Sequence, residues 1–207
     1  FANMNICIKV DNLIEKRLIP DLDNNLPSFY ISCGVVFDEA NLPKDSFSLY
    51  ERLLTEYPDH FLAVDAENNL KVNSVACEMS ESLHENSVFT NRGNFIPTLL
   101  FRCGKTFDNK GEWKNSFDMY TNFLNWYPNH IQVRLVGDLL GKNPESCKNI
   151  GYLNKSKNIS NIKDFMPNLY YKCGQSYEDV NNWSEAVSLY EYFLLVYPNH
   201  SLAKKVE

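Results

Sequence analysis

Apolar residues between Ser184 and Tyr197 return every three or four positions, which is the period of a helix. Side chains at this spacing lie along one face of the helix, so the stretch predicts an amphipathic helix that packs against a neighbouring element. The residues that form the apolar face are Ala186, Val187, Leu189, Tyr190, Phe193, Leu194 and Tyr197.

A shorter helix is predicted just before it, from about Pro167 to Tyr177, because proline is tolerated in a first turn. The polar stretch 179–182 then forms a turn, and the two helices make an antiparallel hairpin. Pro198 cannot continue the second helix. The next residue is expected to be the N-cap of a third helix that starts near His200, and this residue is Asn199 here and Asp59 and Asn129 in the earlier copies.

The hairpin pattern occurs three times at an interval of 70 residues, and the copies align without a gap. A fixed period indicates stacked supersecondary units, each of which covers a hydrophobic face of its neighbour. We predict units of about 1–70, 71–140 and 141–207, with hairpins at about 26–58, 96–128 and 166–198. The recurring structural positions are Cys33, Gly34, Tyr50 and Pro58, then Cys103, Gly104, Tyr120 and Pro128, then Cys173, Gly174, Ala186, Tyr190 and Pro198.

The segments between the hairpins are less regular. Apolar residues from Phe61 to Met79 predict a third helix of about 20 residues in the first unit. Pro144 interrupts the second copy, so Pro144 to Lys155 is expected to be a separate short helix. The stretches 84–95 and 154–164 are rich in Asn, Ser and charge, and we interpret them as loops that join the units. The predicted fold class is an all-α solenoid of helical hairpins, with a third helix and a loop in each unit.

The composition of the chain argues against binding to nucleic acid and against a membrane span. The chain has 207 residues, is 44% hydrophobic and can bury a substantial core. Its net charge is −6 and no window holds a dense Lys/Arg cluster, which argues against nucleic acid. No apolar run approaches the roughly 20 residues that span a bilayer, so no direct membrane span is expected. The chain begins with Phe1 and stops within a predicted helix, and we interpret it as a piece of a longer protein.

The six cysteines follow the repeat in two families spaced by 70 residues. Small secreted disulfide frameworks are shorter and denser in cysteine, and zinc ligands usually lie two to four residues apart, which occurs nowhere here. We expect buried, small apolar thiols, with Cys103 and Cys173 packed between the helices of their hairpins. One disulfide in each repeat and a metal site are the alternatives. The two families are Cys7, Cys77 and Cys147, and Cys33, Cys103 and Cys173.

The hairpin resembles the tetratricopeptide repeat in the spacing of its small and aromatic residues. In the third copy these are Tyr170, Cys173, Gly174, Tyr177, Ala186, Tyr190 and Pro198; the second has Leu100, Phe107 and Ser116 at the places of Tyr170, Tyr177 and Ala186, and the first has Tyr30, Phe37 and Ser46. The resemblance covers about half of the chain, and the period departs from the family's, in which a hairpin returns after about 34 residues. The ending "LLVYPNHSLA" further resembles repeats of bacterial envelope proteins.

The resemblance implies a binding groove lined by the first helix of each hairpin. Family members that clamp a C-terminal carboxylate use Lys and Asn in the first helices, three residues before and one residue after the glycine. In this chain these positions hold Ile31 and Val35, Phe101 and Lys105, and Tyr171 and Gln175, so the clamp is absent. One turn further on, each unit has a pair with at least one acid, and we call these pairs the acidic row: Asp38 and Glu39, Asp108 and Asn109, and Glu178 and Asp179. The row either binds a basic or amphipathic segment or consists of solvated acids in a helix-to-helix turn. The candidate partner-binding residues are Asp38, Glu39, Lys105, Asp108, Asn109, Gln175, Glu178 and Asp179.

Candidate catalytic groups recur at structural positions, which favours architecture over chemistry. His60, His130 and His200 are expected to be exposed or to cap helices, and the chain contains no phosphate loop or nucleophile elbow. We expect no catalytic residue, metal or cofactor, and a non-catalytic scaffold that binds a protein or peptide. The alternatives are a sensor arm of a larger signalling or defence enzyme, acting on other domains of the same chain, and an envelope assembly factor. Unpaired thiols favour the cytoplasm as location, with the bacterial periplasm as the alternative.

Overall fold

A computed structural model describes residues 3–18 and 21–206, apart from the side chains of residues 22 and 23. All regular structure in these ranges is helical, which confirms the all-α class. The helices are α1 Met4–Cys7, α2 Val10–Glu15, α3 Leu22–Glu39, α4 Pro43–Glu56, α5 Ala63–Leu70, α6 Ser74–Glu78, α7 Ser80–Glu85, α8 Ser87–Thr90, α9 Phe95–Lys110, α10 Trp113–Trp126, α11 Val133–Leu140, α12 Pro144–Lys148, α13 Ile150–Lys155, α14 Lys157–Ser160, α15 Phe165–Asp179, α16 Trp183–Val196 and α17 Ala203–Val206.

The chain divides into two compact units, Phe1–Cys103 and Gly104–Glu207. The bounds of the second hairpin helices follow the interval seen in the sequence, since α4, α10 and α16 begin at Pro43, Trp113 and Trp183. The arrangement of three 70-residue units in a solenoid stays a prediction.

In the first unit, α3 and α4 form the predicted antiparallel hairpin. The ring of Tyr50 on α4 lies against Gly34 on α3, and the hydroxyl of Tyr30 in the middle of α3 donates to Glu56 at the end of α4 (2.9 Å). The tight turn between them contains Asn41 with φ of 57°. Asparagine and glycine tolerate this left-handed conformation best, which explains why a short polar turn closes the hairpin.

In the second unit, α15 and α16 form the corresponding hairpin. Gly174 on α15 faces the ring of Tyr190 on α16, and the turn contains Asn181 with φ of 58°. Before α10 the same turn position is Gly111, with φ of 71°. Helical hairpins are therefore confirmed, and their turns use the two residue types that this backbone conformation favours.

All six cysteines form disulfides, so the expectation of free thiols at Cys103 and Cys173 is wrong. The bonds join Cys7 to Cys33, Cys77 to Cys103 and Cys147 to Cys173. Each joins a short helix to the first helix of the hairpin that follows, with a sequence separation of 26 residues. This is the alternative of one disulfide in each repeat. Pairs so far apart in sequence become neighbours only when the short helix packs on the hairpin.

The third helix of about 20 residues is also wrong, because two shorter helices, α5 and α6, take its place. The break lies at Asn73, whose backbone is extended (φ −74°, ψ 132°) and whose side chain accepts from the N–H of Val75. Phe61, Val64 and Val72 are consequently 76%, 60% and 65% exposed instead of buried. In the second unit the predicted interruption at Pro144 agrees with the start of α12, but the single helix expected from Pro144 to Lys155 is wrong, because α12 and α13 divide this range at Asn149.

The two stretches interpreted as loops contain short helices, α8 in 84–95 and α14 in 154–164. Each is anchored by one fully buried apolar side chain, Phe89 in α8 and Ile159 in α14. Asn86 caps α8, since its side chain accepts from the N–H of Val88 (3.0 Å). A four-residue helix is too short to show a periodic apolar pattern, so sequence reasoning overlooked both helices.

The expected N-caps at Asp59, Asn129 and Asn199 are likewise wrong, because the following helices begin later, at Ala63, Val133 and Ala203. The histidine that comes next organises the turn. The backbone N–H two residues further on donates to its Nδ1, from Leu62 to His60 (3.2 Å), from Gln132 to His130 (3.2 Å) and from Leu202 to His200 (3.3 Å). These histidines therefore cap turns by accepting a backbone hydrogen bond.

Replacing Asn143 with alanine is expected to destabilise the fold by about 1–3 kcal/mol. Its buried amide donates to the carbonyl of Trp113 (2.9 Å) and to Oγ of Ser116 (2.6 Å), and its Oδ1 accepts from the N–H of Glu145 (2.8 Å). Alanine leaves these groups without their partner in a site closed to water. Urea denaturation measures the loss, and the exposed Asn168 changed to alanine is the control. Equal midpoints for the two variants would contradict the assignment.

Candidate partner-binding surface

Part of the predicted acidic row joins the two helices of each hairpin. The hydroxyl of Tyr50 donates to Oδ2 of Asp38 (2.7 Å), and the hydroxyl of Tyr120 donates to Oδ2 of Asp108 (2.6 Å). Glu178 has the corresponding position beside Tyr190, and it contributes to the raised pKa of that tyrosine. Asp38 and Asp108 therefore have a structural hydrogen bond, a role that sequence reasoning missed. Their signal is the constant spacing of twelve residues between acid and tyrosine.

The pKa values of Tyr50 and Tyr120 are raised well above the ordinary range for tyrosine. Burial is the larger cause, and the hydrogen bond to the carboxylate is the second. The same two causes raise the pKa of the less buried Tyr190 to about 12. A neutral tyrosine donates its proton to the carboxylate, whereas a tyrosinate beside it would place two negative charges in contact.

We expect the free energy of unfolding to fall as the pH rises above about 10. The unfolded tyrosines lose their protons near that pH, whereas Tyr190 in the folded chain keeps its proton up to about pH 12. Between these two pH values the unfolded state binds fewer protons than the folded state. The contribution of the tyrosine to stability is therefore fully present below the unfolded pKa and is lost as the pH rises through the folded pKa. Tyrosinate absorbance should show a delayed fraction that ionises together with unfolding. Ionisation of all 12 tyrosines near pH 10 in the folded protein would contradict this.

The remaining candidate residues of the first helices are exposed to solvent: Glu39 on α3, Lys105 and Asn109 on α9, and Gln175 and Asp179 on α15. Four residues separate Lys105 from Asn109 and Gln175 from Asp179, so each pair lies on one face of its helix. In α3 the residue four positions before Glu39 is Val35, which is 40% exposed. Each first helix thus presents a short exposed row, and the rows differ in charge and polarity.

Each compact unit also has an exposed apolar side chain at the turn after a second hairpin helix. Phe61 is 76% exposed and Ile131, at the same repeat position, is 93% exposed, whereas the third copy has Ser201 there. We call Phe61 and Ile131 the turn-tip residues. Sequence reasoning placed Phe61 in a helix core; the available signal was its position directly after the Pro-Asp-His turn.

Beside the first turn-tip residue, the first unit has an open groove of about 390 Å³ between the turn and α8. Arg92 closes one side, since its Nη2 donates to the carbonyl of Pro58 (2.7 Å). The groove is lined by Pro58, Asp59, Ser87, Val88, Asn91 and Arg92. Its lining mixes polar and apolar atoms and is wide open to solvent, which suits part of an extended peptide better than a small apolar ligand.

Within residues 3–18 and 21–206, no cluster of three or more His, Cys, Asp or Glu side chains could hold a metal ion. The helices of the described chain also include none with the length and hydropathy needed to cross a membrane.

Comparison of the chain with models of protein families, with curated proteins and with solved structures found no significant match. The functional interpretation therefore depends on the geometry of the chain alone.

Proposed function

We propose that this chain is a non-catalytic protein-protein interaction scaffold, built from hairpins of the tetratricopeptide kind. The observation that carries the proposal is the exposure of large apolar side chains at one repeat position, Phe61 and Ile131. A single exposed apolar side chain is ordinary on a protein surface, so it is the recurrence of two at the same turn position that supports an interaction role.

The use of the reactive side chains supports a binding role over a catalytic one. The recurring tyrosines donate to carboxylates, the recurring histidines accept backbone N–H groups, and the cysteines are paired. A catalytic site needs a nucleophile, base or acid that faces a substrate, and each of these recurring groups contacts its own chain instead.

The partner expected for this scaffold is a protein or peptide that combines apolar and basic side chains. Its apolar groups would contact the turn-tip residues. The exposed acids Glu39 and Asp179 would attract its basic groups, since opposite charge steers association. This retains the predicted role of the first helices while assigning the structural hydrogen bonds to Asp38 and Asp108.

The three disulfides favour an oxidising compartment, because thiols remain reduced in the cytoplasm. The cytoplasmic location was expected from unpaired thiols, and all six cysteines are paired. Among the alternatives, the disulfides favour an envelope assembly factor over a cytoplasmic sensor arm, and we propose an extracytoplasmic scaffold.

Affinity capture tests the proposal with the double variant Phe61→Ser/Ile131→Ser. Serine occurs naturally at this position in the third copy, as Ser201, so the variant should fold normally. We expect the wild-type chain to retain a discrete protein from an extracytoplasmic extract and the variant to lose at least ten-fold in affinity, which corresponds to about 1.4 kcal/mol. A second variant, Glu39→Lys/Asp179→Lys, tests the acidic contribution. Unchanged capture by both variants would contradict these surfaces.

A further inference from the structure

The second unit contains the triplet Asn-x-Ser, in which x is not proline, at Asn154, Asn158, Asn182 and Asn199. This triplet is the acceptor of N-linked glycans in proteins that pass through a secretory pathway. The three disulfides indicate an oxidising route of the same kind. Such triplets also arise by chance in a chain rich in asparagine, so the surroundings of each asparagine decide which of them can carry a glycan.

Two of the four asparagines are held in the packing of the fold. The amide of Asn154 in α13 donates to the hydroxyl of Tyr192 (3.1 Å). The amide of Asn158 in α14 donates to the carbonyl of Asn125 at the end of α10 (3.0 Å). The hydroxyl of Ser156, the third residue of the first triplet, donates to Oδ1 of Asn125 (2.7 Å). A glycan on either amide nitrogen would have to displace these contacts, so both triplets are poor acceptors.

The triplet at Asn182 is fixed at the start of α16. The N–H of Asn182 donates to the carbonyl of Tyr177 (2.8 Å), and its carbonyl accepts from the N–H of Ala186 (3.2 Å). The third residue of the triplet, Ser184, lies in the first turn of the helix. A transferring enzyme that binds all three residues would therefore have to unwind the start of α16.

Asn199 lies in the turn between α16 and α17, which His200 holds from the inside. Nδ1 of His200 accepts from the N–H of Leu202 (3.3 Å), and its ring packs edge-on against Phe193, with the centroids 5.9 Å apart. The first and third residues of the triplet, Asn199 and Ser201, are both exposed. Among the described residues, none forms a hydrogen bond with the side-chain amide of Asn199. This triplet is accessible without any change in the fold.

The exposure of this turn is a property of the repeat. The same position holds Asp59 in the first copy and Asn129 in the second, and both side chains are exposed. In every copy the histidine that follows accepts a backbone N–H at Nδ1, which fixes the same turn. Only the third copy has serine two positions after this residue, where the others have the turn-tip residues Phe61 and Ile131. The acceptor triplet therefore replaces an apolar turn tip.

We propose that Asn199 carries an N-linked glycan, transferred from a polyprenyl diphosphate-linked oligosaccharide. A bond forms between Nδ2 of Asn199 and C1 of the first sugar, the bond from C1 to the diphosphate oxygen breaks, and the amide proton passes to the released polyprenyl diphosphate. The glycan keeps the third turn hydrophilic, whereas the first two turns present apolar side chains. Glycan transfer rests on the proposed extracytoplasmic location, and it does not need a partner at the turn-tip residues.

Mapping of glycans on the chain secreted from eukaryotic cells tests this site. The chain is produced with a secretion signal and treated with peptide N-glycosidase, which converts a glycosylated asparagine to aspartate, and mass spectrometry locates the conversion. We expect Asn199 to be converted in most of the secreted, disulfide-bonded chain. Asn154 and Asn158 should stay largely unconverted, because a glycan there would disturb the packing on α10 and α16. An unmodified Asn199 would overturn the proposal.

Ser201→Ala is the most specific variant, because it removes the triplet and leaves Asn199 in place. It should abolish the glycan at Asn199, whereas Ser201→Thr should retain it. A modification of Asn199 that persists in Ser201→Ala would overturn the proposal, since it would not depend on the triplet. Partner capture enters neither measurement, so a failure of the scaffold function and a failure of glycosylation are separately visible.

Ile131→Ser is the matched control with a gained site. It completes the triplet Asn-His-Ser at Asn129, in the equivalent turn of the second copy. We expect Asn129 to become glycosylated in this variant, which would show that the turn accepts a glycan in the cells used. Absence of a glycan from Asn129 in the variant would contradict the assignment of this turn as an acceptor. Because the same substitution is part of the capture variant, capture is measured on deglycosylated chains.

Discussion

Reduction of the three disulfides is expected to lower the free energy of unfolding by several kcal/mol and to unfold most of the protein. Each bond closes a loop between residues 26 apart, and the three loops do not overlap in the sequence. In the chain-entropy model, a loop of this length stabilises the fold by about 3.5 kcal/mol. Three independent loops would contribute about 10 kcal/mol, which is comparable to the whole stability of a typical domain.

Thermal denaturation with and without a phosphine reductant measures this effect. The pair variant Cys77→Ser/Cys103→Ser isolates one bond and should cost about 2–5 kcal/mol. A variant with all six cysteines changed to serine is the control, because it should be as unfolded as the reduced wild type and the reductant should not change its circular dichroism. Rapid labelling of thiols in the native, unreduced protein would contradict the pairing.

Changing Gly104 to alanine is expected to destabilise the fold by about 1–3 kcal/mol or more. A Cβ atom on Gly104 would overlap the ring of Tyr120. This ring cannot easily move, because it is fully buried and its hydroxyl is bonded to Asp108. Leucine at the same position should force the paired elements apart and cost more.

Two further glycines make this prediction specific. Gly151 lies in α13 with nothing within 4 Å of the added Cβ, so Gly151→Ala should stabilise the helix by about 0.5–1 kcal/mol. Gly174 faces Tyr190, which is only half-buried, so Gly174→Ala should cost less than Gly104→Ala. Urea denaturation of the three variants gives the order. Equal stability of the Gly104 and Gly151 variants would show that the ring contact has no energetic weight.

The candidate surface was predictable only in part. The exposed rows that contain Glu39 and Asp179 follow from helical geometry and a repeated pattern. Asp38 and Asp108 have the residue type and the spacing that a row of partner-binding acids would have. Their carboxylates nevertheless accept hydrogen bonds from tyrosine hydroxyls of the second helix. Which of two adjacent acids faces the hairpin depends on how the helices are rotated against each other, and the local pattern does not contain that rotation.

The helical hairpins follow from the amino-acid sequence, because their causes are local. A period of three to four residues specifies the apolar face, Asn41, Gly111 and Asn181 permit the tight turns, and the prolines stop the second helices. The pairing of Cys147 with Cys173 and the exposure of Phe61 and Val187 depend instead on tertiary packing. Disulfide bonding and burial depend on which segments, far apart in the sequence, pack against each other. Local sequence patterns do not contain this information.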